Sequence, residues 1–449
     1  MLVLSIRLFF SGFFGVKLKI LHLSTFDIRG GAARSAYRLH RGMCKIGLDS
    51  SMLVRSKWSK NARVTAFSNN DNFSKRLARC FRLYWLKRQL ATQTKVPPGA
   101  SGPFSVDRTD CGIPSLASYD IVNLHWVAGF VDFNTFFVNN RDTSVVWRFS
   151  DLNPITGGCH YDAGCGKYLE RCYRCPQLGS KVNEDISSGI WLRKQEAFKK
   201  HSVGNLHFVA QSNWMAGKMK MSPLVGHFPV TVIANGVDTD IFKPVAGFGL
   251  RSCLGIAEED TVLLFVATST HTERKGFSYL VKAIANLDSK VWILSVGNNE
   301  PTALNHQRHI WLGQIDNELL LTAVYNTANL FVLPSLQDNL PNTAIESIAC
   351  GTPVVGFDSG GISDIVTSGG TGELVPRGDI KELSHAIKEL VKDGARRAKS
   401  MRSACRAKAL SDFHLPSQVR KFHDLYKNII DGKKQHGRFE ELHCKSKRS

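Results

Sequence analysis

The feature that most limits what this chain can become is a pattern of strand, polar or glycine-bearing loop and helix that runs once and then restarts. VKLKILHLS at 16–24 is a run of leucine and β-branched residues leading into Gly30 and Gly31. AARSAYRLHRGMCKIG follows with helical spacing and closes on Gly47. This is the opening of a doubly wound α/β domain. YDIVNLHW (119–126), TSVVWRF (143–149) and NLHFVAQS (205–212) add buried strands, the last leading into a helix at 212–221. VTVIANGVDTDIFKPV (230–245) is rich in turn residues and reads as a hinge. Then the pattern begins again. DTVLLFVAT (260–268), VWILSVG (291–297), IWLG (310–313), NLFVLPS (329–335) and TPVVGF (352–357) are strands interleaved with helices such as ELLLTAVYNTA. SGGISDIV is expected to open one more helix.

Strands alternating with helices imply parallel sheets. The expected class is α/β, with two Rossmann-like domains whose parallel sheets face across a cleft. The expected divisions are an N-terminal extension at 1–16, a first domain at 17–228 and a second at 229–410. A helix at 411–430 and a basic tail at 431–449, without apolar period and expected to be disordered, complete the chain. In open α/β sheets ligands bind at the carboxyl ends of strands, so the loops there are where chemistry is expected.

Apolar residues make up 43% of the 449, enough for real cores, which excludes an intrinsically disordered chain. The formal charge of +20 is spread without a single basic block and favours an anionic partner: nucleic acid, anionic lipid or a phosphorylated substrate. The start, MLVLSIRLFFSGFFGVKLKI, is interrupted by Arg7 and is short of a spanning helix. A start-site extension, a weak surface anchor and a cleaved signal compete for it. Cys44, Cys80, Cys111, Cys253, Cys350, Cys405 and Cys444 stand singly, as thiols of a reducing compartment do. The expected location is cytoplasmic, with peripheral contact at the inner face of the plasma membrane as a further expectation.

SLQDNLPNTAIESIACGTPVV (335–355) places Asp338 and Glu346 eight residues apart, after one apolar strand and before another. Asn342 can cap the intervening helix and Gly351 suits its C′ position. Glu346 falls near the first turn, where the helix dipole favours negative charge. A carboxylate accepts two hydroxyl hydrogen bonds, which suits a ribose or sugar diol. Decoration of a turn and a helix start is the plain alternative.

The region resembles family 4 of the retaining glycosyltransferases, which use nucleotide-sugar donors and the two-domain GT-B fold. Their mark is two acids eight apart, usually both Glu, then an apolar helix and Gly-x-Pro-Val-Val; Asp338, Glu346 and GTPVV match, with Asp in the first place. IANGVDTDIF resembles the family's hinge signature, RKG at 274–276 its Lys-Gly, and TSGGTGELVP its late strand signature. The resemblance implies that Glu346 holds the ribose hydroxyls and that Asp338, Asn339 and Leu340 hold the donor sugar. Arg274 and Lys275 would offset the diphosphate charge that develops as the glycosidic bond lengthens. The SGGISD turn, with Gly360 and Gly361, would add amides at a helix N-terminus. Gly30 and Gly31 would let the backbone approach the diphosphate and acceptor, and His125 would face the donor sugar. Asp238-Thr239-Asp240 spells a metal-binding DxD but sits in the hinge signature, where it is expected to cap a turn. No catalytic metal is expected.

Cys159, Cys165, Cys172 and Cys175 lie in a segment, TGGCHYDAGCGKYLERCYRCPQLG (156–179), with little core of its own. Four thiolates suit a closed structural zinc site that could hold it folded; disulfides and plain thiols are the alternatives. The TGGCHY lead-in resembles a subgroup of the family associated with surface polysaccharide assembly. FSKRLARCFRLYWLKRQL (73–90) reads as a basic amphipathic helix, suited either to anionic lipid or to packing on its own domain. The expectation is a retaining hexosyltransferase moving a sugar from a UDP- or GDP-sugar to a saccharide or polyprenyl-diphosphate-linked saccharide, in lipopolysaccharide or exopolysaccharide synthesis. A basic zinc-containing nucleic-acid-binding protein is the rival in another class. No nucleic-acid module is present to support it, and nucleic acid is not an expected partner. A transfer-incompetent subunit of the same fold is a third reading.

Overall fold

The computed structural model describes residues 18–68, 77, 80, 81, 84, 88, 104–105, 112–201, 203–245, 249–285, 291–301, 308–392 and 394–446. The extension at 1–16 and most of the stretch 73–90 lie outside the described residues. The chain divides into two compact units: Met1–Gln211 with Met215–Ile233 and Val419–Ser449, and Ser212–Trp214 with Ala234–Gln418.

The first unit is built on a seven-stranded sheet. Its strands are β1 (Lys19–Phe26), β2 (Asp49–Ser56), β3 (Val64–Ala66), β4 (Ile121–Leu124), β5 (Val145–Phe149), β6 (Leu206–Ala210) and β7 (Val230–Val232). Their order is β3-β2-β1-β4-β5-β6-β7, and all neighbours are parallel. β4 and β5 are buried along their whole length, as parallel strands covered on both faces must be. The order reverses between β1 and β4, so the loops after those two strands flank the switch point where doubly wound sheets take ligands. Gly30 and His125 belong to those loops.

The second unit repeats the plan with six parallel strands in the order β10-β9-β8-β11-β12-β13. They are β8 (Thr261–Val266), β9 (Val291–Val296), β10 (His309–Trp311), β11 (Leu330–Leu333), β12 (Val354–Phe357) and β13 (Gly372–Val375). Here the switch point falls between β8 and β11. One apolar cluster, including Val262, Leu264, Phe331 and Ile345, packs one face of this sheet. A second, including Leu263, Phe265, Val332 and Val355, packs the other. Alternate residues of β8 therefore serve opposite faces, as the period of a strand requires.

The last helix, Leu415–Ser446, continues through residues expected to be disordered. From Val419 onward it belongs to the first unit. There the fully buried Tyr426 accepts a hydrogen bond from Asn123 Nδ2 of β4 at 2.5 Å. Asn123 is part of a polar layer buried in the first unit. His22 Nδ1 of β1 lies 2.9 Å from His125 Nε2, and Arg148 of β5 donates to Ser35 Oγ at 3.0 Å.

Burial holds His22 and His125 well below the ordinary histidine value, with the positive charge of Arg148 contributing. His40, His201 and His207 are lowered to about 4, again chiefly by burial. Unfolded, these groups titrate near 6.5. As pH falls from about 6.5 toward 4, the unfolded chain takes up protons that the folded chain refuses. Stability present above pH 6.5 is therefore lost across that window. Calorimetry should record an apparent Tm more than about 10 °C lower at pH 5 than at pH 7. A flat profile over that range would contradict the burial of these imidazoles.

Candidate functional site

In the second unit three loops meet at the carboxyl ends of adjacent strands. The loop after β8 carries Arg274, Lys275 and Gly276; the loop after β11 runs through Asp338, Asn339 and Leu340; the loop after β12 carries Gly360 and Gly361. Backbone and side-chain contacts clamp the middle loop from both sides. Leu336 N–H donates to the Arg274 carbonyl at 2.8 Å, and Arg274 Nη1 donates to the Gln337 carbonyl at 2.5 Å. On the other side Gly361 N–H donates to the Asp338 carbonyl at 3.0 Å, and Ser359 Oγ donates to the Ser335 carbonyl at 2.6 Å.

Glycine is required at these seams. Gly276 has φ +73°, and a Cβ there would lie 1.8 Å from the Pro334 carbonyl oxygen. Gly360 has φ +65°, and its Cβ would lie 1.7 Å from the Asp338 carbonyl oxygen. Only a residue without Cβ permits both the left-handed backbone and the close approach. The helix expected after Gly361 does not form. Ile362–Asp364 is a single 3-10 turn, and the chain then turns into β13. So short a turn lacks the aligned amides of an α-helix N-terminus, and the anion site expected of SGGISD is not built that way.

The cations and the first acid are joined across the switch point. Lys275 Nζ pairs with Asp338 Oδ2, and Arg274 Nη1 lies 3.5 Å from the same oxygen. Asp338 is 6% exposed. Burial lowers the Lys275 ammonium, the Asp338 charge opposes the shift, and Arg274 adds to it. The carboxylate expected to meet sugar hydroxyls is thus engaged by the cations expected to meet phosphate.

Glu346 lies in the second turn of the helix Asn342–Ala349 rather than at its start, so the dipole argument does not carry its placement. It is buried, and Tyr325 Oη donates to its Oε2 at 3.2 Å. Pro341 holds the N-cap position; Asn342 instead accepts a hydrogen bond from Asn235 Nδ2 at 2.9 Å. Gly351 takes φ +77° after the helix, as a C′ glycine does. The Asp238-Thr239-Asp240 segment caps a turn. The Asp238 carbonyl accepts from Ile241 and Phe242, and Asp240 N–H donates to Asp238 Oδ1.

In the first unit, Gly30 (φ +86°) precedes the helix Gly31–Lys45 and its carbonyl accepts from Arg34 N–H. A Cβ on Gly30 would meet nothing within 4 Å. His125 is 1% exposed, its ring turned onto His22. Sequence reasoning missed two of these partners, Tyr325 and His22, and also Asp27, whose buried carboxylate follows β1 directly and accepts from Trp58 N–H and Ser59 N–H. Asp27 had a signal, being an acid at a strand's carboxyl end two residues before Arg29-Gly30-Gly31.

The expected structural zinc finds no support among the described residues. Cys159, Cys165, Cys172 and Cys175 do line one small pocket, with Tyr168 and Tyr173. Yet among the described residues no group of three or more His, Cys, Asp or Glu is placed to hold a metal ion. None of the described cysteines is paired in a disulfide. Cys172 Sγ accepts Gly157 N–H at 3.1 Å, and burial pushes its thiol up to about 12.

The segment also has the core it was thought to lack. Tyr168 and Leu178 are buried, Trp191 Nε1 donates to the Tyr168 carbonyl, and Lys194 Nζ donates to the carbonyls of Asn153 and Thr156. Asp185 accepts from Cys175 N–H and Ser188 N–H. No helix among the described residues is long and apolar enough to cross a membrane. Of the stretch 73–90, Leu77, Phe81 and Tyr84 are described, helical and exposed.

Residues 260–393 match the family described as Glycosyl transferases group 1. Over 179 residues the chain is 31% identical to a D-inositol 3-phosphate glycosyltransferase of Mycobacterium sp. (strain KMS), covering 37% of this chain and 40% of that relative. Over 277 residues it is 24% identical to the putative colanic acid biosynthesis glycosyl transferase WcaC of Escherichia coli (strain K12), covering 60% of this chain and 66% of the relative. The chain thus spans less than two thirds of the length of either curated relative. The structure of Anabaena Alr3699/HepE in complex with UDP-glucose superposes with a TM-score of 0.63 at 16% identity, covering 92% of this chain and 100% of that one. The likeness establishes the GT-B fold.

Proposed function

We propose, from the match of residues 260–393 to the family described as Glycosyl transferases group 1, that the whole chain moves a hexose from a UDP- or GDP-sugar to a saccharide acceptor with retention at the anomeric carbon. The observation that carries the reading is the three-loop clamp at the switch point of the second sheet, which sets Arg274 and Lys275 beside the 338–340 loop. Similarity to a structure holding UDP-glucose and to a colanic acid enzyme supports a UDP-sugar donor and a role in lipopolysaccharide or exopolysaccharide assembly.

In this proposal Glu346, steadied by Tyr325, accepts from the ribose hydroxyls. Arg274 and Lys275 meet the diphosphate, and Asp338 holds them in place by charge. The backbone at Asn339 and Leu340 meets the donor sugar, with Gly360 and Gly361 fixing that loop. Gly30, Gly31 and His125 serve the first unit, to which we assign the acceptor. The bond from the anomeric carbon to the leaving phosphate oxygen breaks, and the bond to the acceptor oxygen forms on the same face. The acceptor's proton passes to the departing phosphate oxygen, so no side chain is needed as general base. The two cations stabilise charge that appears only as the diphosphate leaves, which is where binding accelerates reaction. A polyprenyl-diphosphate-linked acceptor, reached at an anionic membrane face, is part of the same proposal.

Screening UDP- and GDP-sugars for thermal stabilisation tests it. One nucleotide class should raise Tm, and Glu346→Ala should remove that rise while leaving the ligand-free Tm within a few degrees. Full turnover in Glu346→Ala would end the assignment of this acid.

A further inference from the structure

We propose that Trp58 and Arg29 form a binding subsite for an anionic saccharide at the carboxyl edge of β1 and β2. Its use as an acceptor subsite rests on the function proposed above; the binding itself does not. β1 and β2 are parallel neighbours with Phe26 in register with Ser56, so the loops that follow them run side by side. One fully buried carboxylate ties the two together. Asp27 accepts N–H bonds from Ile28 at 2.9 Å, from Trp58 at 3.0 and 3.1 Å, and from Ser59 at 2.8 Å. Burial alone would raise its pKa, but hydrogen bonds from Ser59, Trp58 and Ile28 outweigh that and keep it below the ordinary value.

The fastened loop holds an indole outward. Trp58 is 58% exposed. Full burial of a large apolar side chain is worth about 2 kcal/mol, so a rigid loop that keeps this ring in water forgoes it. The ring stands at a strand-end edge, where sheets of this kind take ligands. The Arg29 guanidinium lies 5.1 Å from the ring centroid, and Lys57 and Lys60 are exposed in the same loop. Beside them, the space that a Cβ on Gly30 would enter is open.

These features select a ligand class. An indole offers an apolar face for the C–H side of a sugar ring and an N–H for a hydroxyl. A guanidinium fork matches the paired oxygens of a phosphate or a carboxylate. A single ring suits one sugar, whereas single-stranded nucleic acid is gripped on successive aromatic platforms. A sugar phosphate and a uronate share the chemistry that would be read here.

The test uses the full chain and follows tryptophan indole N–H resonances, with Trp58→Phe identifying the signal. The probes are glucose 1-phosphate, galactose 1-phosphate, mannose 1-phosphate, glucuronate, methyl glucoside, inorganic phosphate and an oligothymidylate. The Trp58 signal should shift saturably with at least one sugar phosphate, or with glucuronate if the anion is a carboxylate. Arg29→Ala should weaken that binding by about fivefold or more, and methyl glucoside should bind less well. The proposal is overturned if no anionic sugar moves the signal or if Arg29→Ala binds equally. It is also overturned if inorganic phosphate or the oligonucleotide moves the signal as far. UDP-dependent thermal stabilisation is measured alongside. Its absence with an intact Trp58 response would sink the donor reading and leave this subsite standing.

Discussion

Asp338→Ala should unfold at markedly lower denaturant than the parent chain, with a loss of about 3–5 kcal/mol, and should have no detectable transfer activity. The expectation follows from the Lys275–Asp338 pair. Removing one partner of a buried ion pair leaves the other as an uncompensated charge, which costs more than the pair contributed. Burial and Arg274 both disfavour the Lys275 ammonium and the Asp338 charge opposes them, so the substitution removes the group that favours the charged form. The double variant Asp338→Ala/Lys275→Met replaces both charges with apolar groups and should recover most of the stability. It should not recover transfer, because the cation assigned to the diphosphate is gone. Chemical denaturation of both variants, beside a transfer assay, separates the roles. Recovery of activity in the double variant would mean that Lys275 serves only the fold.

Gly360→Ala is expected to have the second largest effect, although it adds one methyl group. The new Cβ would collide with the Asp338 carbonyl, backbone against backbone, with no flexible side chain to yield. It would also place a non-glycine residue in the left-handed region. Gly255→Ala is the control. Gly255 has φ +68° but nothing within 4 Å of its Cβ, so the substitution there registers backbone strain alone, about 1 kcal/mol. Gly360→Ala should cost at least about 2 kcal/mol more, and UDP-dependent stabilisation should disappear with it. Equal losses in the two variants would show that the seam between Gly360 and Asp338 can open freely.

Much of the fold was legible because parallel strands buried on both faces write themselves as apolar runs. β1, β4, β5, β6, β8, β9, β10, β11 and β12 were visible this way. β2, with sequence DSSMLVRS, was not, since serines occupy half of its first four positions. β3 and β7 are three-residue strands, too short to carry a period. The helix expected after Gly361 failed because an apolar pair following a glycine pair also describes a 3-10 turn into a strand.

At the site, Asp338 and Glu346 could be picked out by their eight-residue spacing and, with Lys275, by the family resemblance of the motifs around them. Their partners could not. Lys275 and Asp338 are 63 residues apart in sequence and meet because β8 and β11 are neighbours; Tyr325 precedes Glu346 by 21, and the two meet through the helices on either side of β11. The packing of the cysteine segment was hidden for a similar reason. Its buried Tyr168 and Leu178 are joined by Trp191 and Lys194, which lie in the helix that follows it.

The return of the last helix to the first unit has a consequence for synthesis. When β7 leaves the ribosome, the first unit still lacks residues 419 onward, and with them the Tyr426 hydroxyl that meets Asn123 in the sheet. Domains ordinarily fold in the order of their emergence. Here the earlier-made unit must wait, incompletely covered, while the later-made one is translated and can close first. A truncation near the C-terminus would therefore injure the amino-terminal half of the protein.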